Sequence, residues 1–194
     1  MVLVERIEAK NVFLHLIRIF RHKYWVMYYC FYAGLYWQGI VHDLSKFSPT
    51  EFWESVRYYN DRVSPVEVRK KKWGYSDSWF HHRGRNKHHY EMWTDNYDRG
   101  ITTVRMPYEY ALEMVCDFLG AGRAYYGKEF TPRKELEYWE NKKKDNPDMK
   151  IHPDTKSFVD KMLNIFVDEG TPYFLKTDRS YEVYLSCLEH DVVV

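Results

Sequence analysis

From Lys10 to about Ala33 the apolar residues Phe13, Leu16, Ile17, Phe20, Tyr24, Met27 and Phe31 recur at helical spacing. The pattern predicts one long helix with these residues as its apolar face. Positions 15, 18, 22 and 26 form a neighbouring stripe, so His15, Arg18 and His22 can look into one cleft. Gly34 is a natural helix end, and a short element from Tyr36 to Lys46 follows. Ser48-Pro49-Thr50-Glu51 predicts a helix start, with Ser as N-cap, Pro at the first position and Glu three residues after the cap, and that helix should run to about Asn60. Residues 62–74 read as a polar connection with room for one short helix. Ser76-Asp77-Ser78 can cap a helical piece leading to His81 and His82, and Gly84 and Asn86 predict a turn before His88 and His89. Asp95 to Met106 looks like a loop or small β-hairpin. Pro107 opens a helix that aligns Glu109, Glu113 and Asp117, an acidic stripe of the kind that is usually solvated. Thr131-Pro132 and His152-Pro153-Asp154 start two further helices, and Tyr181 to Leu188 predicts a last one. There is no internal repeat, heptad array or low-complexity segment. The expected fold is all-α in a single domain: a core over about 10–125, a small hairpin near 95–106, and a helical extension over about 131–194.

Composition narrows the function classes. A chain of 194 residues can bury one substantial core. Its 29 basic and 28 acidic residues leave a net charge of +1, which gives no global push toward nucleic acid or an anionic membrane. Cys30, Cys116 and Cys187 are odd in number and far apart, each among apolar or aromatic residues, and read as reduced core cysteines of a cytoplasmic protein. Glu5, Arg6, Glu8 and Lys10 are wrong for the apolar part of a secretory signal. Tyr24 to Val41 lacks Asp, Glu, Lys and Arg, but its five tyrosines, Gln38, Gly34 and Gly39 favour a buried helix and a turn over a membrane span. Eighteen tyrosines and seven tryptophans are read as large rings filling a helical core, not as a stacking surface for bases.

The chemistry concentrates around His42-Asp43-Leu44-Ser45-Lys46. A metal site for hydrolysis needs neutral imidazoles and carboxylates converging from several elements. This chain offers His22 on the first helix, His42-Asp43 on the second element, histidines 81, 82, 88 and 89, and Asp117 within the apolar run Met114-Val115-Cys116-Asp117-Phe118-Leu119. An aspartate beside a histidine can bridge two ions while the histidine binds one. On an uninterrupted helix His82 and His89 would lie about 10 Å apart along the axis, too far for one ion. A turn would fold the two pairs together.

The order His, His-Asp, further His, then Asp, all on helices, resembles the HD superfamily of metal-dependent phosphohydrolases, in an uncharacterised bacterial and phage branch. His42-Asp43-Leu44-Ser45-Lys46 is similar to that superfamily's His-Asp-x-Gly-Lys form, with Ser45 in place of glycine. Asp117 is similar to its closing helix aspartate. The resemblance covers roughly residues 10 to 125. It implies an HD-like helical bundle in which His22, His42, Asp43 and Asp117 hold one divalent metal and Asp43 bridges to a second ion. That second ion would be held by His82 with His88 or His89. The metal would be Fe, Mn, Zn, Ni, Co or Mg. Asp43 and Lys46 would carry the reaction, with Lys46 on the substrate phosphate and Arg18, Arg85 and Arg123 as further phosphate contacts. The expected substrate is a nucleotide or related small phosphoester, with no membrane partner.

Two other functions fit the same residues. HD-type proteins with extra histidines include di-iron oxygenases, and the clustered imidazoles here leave that open. A nucleic-acid or protein binding module would instead use the Trp, Tyr, Arg and His of residues 79–93 as a stacking and phosphate surface, a reading the sequence favours less.

Overall fold

Helix starts and stops follow the Pro, Ser and Gly punctuation. The computed structural model describes residues 7–95 and 97–189, so Glu5, Arg6 and the last five residues of the extension lie outside the described residues. Helix α1 (Ala9–Tyr32) ends where Gly34 turns left-handed at φ 75° and the Leu35 amide donates to the Cys30 carbonyl at 2.8 Å. Helix α2 (Tyr36–Val41) is followed by a left-handed Asp43 and a 3-10 turn over Leu44–Phe47. Helix α3 (Pro49–Arg57) starts on Ser48, whose hydroxyl accepts from the Glu51 amide at 3.4 Å. It stops short of Asn60 because the Asn60 side chain accepts from the Arg62 and Val63 amides while Arg18 donates to the Asn60 and Asp61 carbonyls.

The polar connection contains α4 (Pro65–Trp73), and α5 (Asp77–Arg83) is capped by Ser76. Strands β1 (Thr94–Asp95) and β2 (Thr102–Thr103) form a two-residue antiparallel ribbon within the stretch read as a hairpin. Helices α6 (Tyr108–Tyr126), α7 (Pro132–Asp145), α8 (Pro153–Glu169) and α9 (Thr177–Leu185) complete an all-α fold.

Helices α1 and α6 form the central pair. At their closest approach Gly120 lies under Val26, where a Cβ would come within 2.8 Å of the Val26 backbone nitrogen. One apolar cluster runs from Val26 through Leu119, Trp139 and Phe158 to Cys187, so the C-terminal helices close the same core. The Tyr184 hydroxyl donates to the Met106 carbonyl at 2.7 Å and the Thr177 hydroxyl to the Ala33 carbonyl at 3.0 Å. The three cysteines are buried and free, and no described helix is long and apolar enough to cross a membrane.

The sequence pattern picks the wrong face of α1. Phe13, Ile17, Phe20, Tyr24 and Phe31 point outward, and Leu16 and Met27 are half-buried. The buried stripe is His15, Ile19, His22, Val26, Tyr29 and Cys30. That stripe carries His22, whose burial is compensated by Asp43 on the turn after α2 and Asp117 on α6. The aromatic residues are likewise divided. Tyr29, Trp139, Phe158 and Phe174 fill the core, while Tyr36 and Trp37 stand in solvent.

Candidate metal centre

Five elements meet around Asp43. His22 comes from the buried stripe of α1, His42 and Asp43 from the end of α2, His82 from α5, His88 and His89 from the turn after it, and Asp117 from α6. Asp43 is the residue other than glycine with positive φ (55°) among those described, and this backbone turn throws its carboxylate inward. The turn after α5 is held by Asn86, whose side-chain amide donates to the His82 carbonyl at 2.7 Å and to the Ser45 hydroxyl at 2.9 Å. Ser45 thus ties the two segments together, and its hydroxyl lies 3.3 Å from His82 Nδ1.

The two Asp43 oxygens divide the imidazoles between them. Oδ2 lies 3.2 Å from His22 Nε2 and 3.4 Å from His42 Nε2, and Oδ1 lies 3.3 Å from His82 Nε2 and 3.4 Å from His88 Nε2. Asp117 Oδ1 completes the first group, 3.2 Å from His22 Nε2 and 3.3 Å from His42 Nε2. His89 joins the second, and in each group one ligand atom per residue lies within 4.8 Å of the others. Several of these atoms, His42 Nε2, His88 Nε2, His89 Nε2 and Asp43 Oδ1, are buried with no hydrogen-bond partner. They converge without being aligned on one another. Buried orphan imidazole nitrogens around shared carboxylate oxygens fit a divalent metal ion, because a cation satisfies them all at once.

Glutamates hold the far sides of the rings. Glu113 Oε1 lies 3.0 Å from His42 Nδ1 and 3.2 Å from His88 Nδ1, which links the two groups. Glu51 Oε2 lies 2.7 Å from His82 Nδ1, and its Oε1 lies 2.6 Å from His81 Nδ1. An ionised carboxylate only accepts, so these contacts put a proton on Nδ1 and leave Nε2 of a neutral ring as the inward lone pair. His42, His88 and Glu113 also form a compact trio, but it is the Nδ1 atoms that face Glu113, which makes Glu113 an orienting group.

The electrostatics keep the carboxylates ionised. Burial works against Asp43, yet His42, Lys46 and His82 outweigh it and hold the carboxyl well below its usual range. Asp117 and Glu113 are lowered in the same way against burial, Asp117 by His22 and His42, Glu113 by His42 and His88. For His42, burial is outweighed by Asp43, Asp117 and Glu113, and its pKa rises well above the usual value. Burial, reinforced by His88 and His82, drives His89 the other way and keeps it neutral. The Lys46 ammonium lies 2.6 Å from Asp43 Oδ2 at the partly exposed edge.

The predicted ligands therefore come together, His88 and His89 both included. His81 stays at the rim on Glu51. His15 lies apart, packed on Phe52 and Tyr59 with its pKa lowered to about 4 by burial, Lys46 and Arg18. The arginines do not converge on the centre. Arg18 is committed to loop carbonyls and the Tyr59 hydroxyl, exposed Arg85 donates to the His81 carbonyl, and Arg123 donates to the Tyr29 hydroxyl and lies over Trp25 and Phe130. Sequence reasoning missed Glu51 and Glu113. Glu113 had a signal in its helical register, one turn before Asp117, whereas Glu51 shares helix α3 with no ligand and had none. A cleft lined by Ile165, Phe174, Arg179, Glu182, Val183 and Ser186 contains none of these groups and does not define the site.

No curated protein and no solved structure matches the chain. Residues 11–165 match the model of a family of unknown function, DUF5662, a span that holds every residue of the centre from His22 to Asp117. The chain belongs to the DUF5662 family.

Proposed function

We propose that this chain is a metal-dependent phosphohydrolase of the HD type, with Asp43 shared between two divalent ions and a nucleotide or related phosphoester as substrate. The observation that carries this reading is the division of the Asp43 oxygens between two sets of imidazoles, with Asp117 closing one set and His89 the other. His22, His42, Asp43 and Asp117 would hold the first ion, and Asp43, His82, His88 and His89 the second. Ions of this kind, such as Fe, Mn, Zn, Ni, Co or Mg, supply Lewis acidity toward water and phosphoryl oxygens. Glu113 and Glu51 fix ring orientation, and Lys46 at the exposed edge receives the anion in place of its contact with Asp43. The surplus imidazole of His89 favours a second reading, oxygen chemistry at a di-iron centre.

Elemental analysis of the purified protein, followed by a phosphoester panel, tests the proposal. Two equivalents of a divalent metal and hydrolysis abolished by Asp43→Asn are expected. A folded protein that carries no metal and takes none up on addition would sink both readings. Oxygen consumption by an iron-loaded sample that hydrolyses nothing would select the second.

A further inference from the structure

The outward face of α1 is independent of the metal centre and needs its own explanation. Exposed Phe13, Ile17, Phe20, Tyr24 and Phe31, with half-buried Met27 between the last two, follow one another at steps of four, three, four, three and four. This is the a/d spacing of a helix that packs along another helix, over fewer than three heptads. Phe13 is 65% exposed, Phe20 59% and Tyr24 57%. The apolar surface continues onto α2. Gly39 lets α2 lie against α1, where a Cβ would meet Cys30 Cβ at 2.9 Å, and ring contacts of Phe31 with Tyr36 (5.3 Å) and Phe20 with Phe47 (5.8 Å) join the two. Trp37 (70% exposed), Ile40 and Leu44 extend it.

We propose that this face is the interface between two copies of this chain, packed α1 against α1. At roughly 150–250 Å² for an aromatic side chain, the exposed parts of these residues make a patch on the order of 1,000 Å². A standard interface needs ~800 Å² per partner, and a monomer seldom exposes a contiguous apolar patch much above ~600 Å². The alternation of three and four suits a partner helix laid along α1. The nearby cations are already engaged: Lys23 donates to the Ile40 and His42 carbonyls, Arg21 to the Arg123 carbonyl and Arg18 to Asn60 and Asp61. In this register Arg21 and Lys23 flank the seam, each tied back to backbone carbonyls of its own chain. His22 points from the opposite face of α1, so packing α1 on α1 does not engage the ligand that helix carries.

Light scattering on the full chain across a dilution series tests this. Twice the chain mass is expected for the wild type, and the single-chain mass for Phe20→Glu with an unchanged circular dichroism spectrum. Phe20→Leu should retain the dimer. If Phe20→Glu fails to fold, Trp37→Glu on the neighbouring helix serves instead, with the same expected loss of mass. A wild type that is monomeric at every concentration overturns the proposal, as does a dimer that survives both charge substitutions. A monomer that sediments with phosphatidylserine-containing vesicles, and ceases to do so as Phe20→Glu, assigns the face to a membrane and overturns it too.

Discussion

Asp43 occupies a backbone conformation that costs an L-residue about 1 kcal/mol or more, and it does so at the point where its two oxygens separate two groups of imidazoles. The strain separates cleanly from the chemistry. Asp43→Gly and Asp43→Ala both remove the carboxylate, but only alanine keeps the steric penalty of φ 55°. Urea denaturation is expected to find Asp43→Gly more stable than Asp43→Ala by about 1 kcal/mol, with both inactive. Equal stabilities would mean that the neighbouring turns relax and no strain is stored. At this scale the histidines and Asp117 were legible, because imidazoles in such number and an aspartate among apolar residues have few structural uses. Glu51 and Glu113 were not. A glutamate three residues after a Ser-Pro cap reads as a capping box, and one on an acidic stripe reads as solvated, whereas the folded chain turns both inward onto imidazole nitrogens.

Helix α1 has two candidate faces, and the hydrophobic pattern chose the one that points outward. Its stripe of Phe, Ile and Tyr is more apolar than the stripe of His15, Ile19, His22 and Val26 that the fold buries. Periodicity measures apolarity along one helix, but burial here depends on what α6 offers opposite. The decisive residue is Gly120, which has no local signature in the sequence. It lets α6 close on Val26, one turn beyond His22, and so sets the 3.2 Å approach of Asp117 to His22. Gly120→Ala is expected to lower stability by about 1–3 kcal/mol, as overpacking does, and to weaken metal uptake although every ligand is intact. Thermal unfolding with and without added metal checks both effects. Element boundaries set by Pro, Ser and Gly were legible to within a few residues, apart from α4, which the polar sequence before Gly74 masked.

Among the described residues, Glu135 and Asp154 are buried carboxyls that the centre does not use, and Asp154 is paired with Arg105 at 3.0 Å. Glu135 on α7 is 2% exposed with an oxygen lacking any hydrogen-bond partner, and burial together with Asp117 raises its pKa from 4.5 to about 8. The folded chain holds this proton where the unfolded chain has lost it, so folding takes up a proton and stability falls as pH rises through this window. By pH 7 the loss amounts to about 3 kcal/mol at ~1.4 kcal/mol per unit. Glu135→Gln should match the wild type near pH 5 and exceed it in melting temperature near pH 8. Parallel pH profiles for the two proteins would contradict the assignment. The closure of the core by the C-terminal helices has a further consequence for how the chain is made. Thr177 fastens the end of α1 through Ala33, and Tyr184 fastens the segment before α6 through Met106, across 144 and 78 residues of chain. During synthesis the helix bearing His22 therefore emerges first, yet the fastening of its C-terminal end waits for residue 177. A nascent chain halted at residue 165, where the family match ends, still lacks Phe174, Leu175 and Tyr184 from its interior.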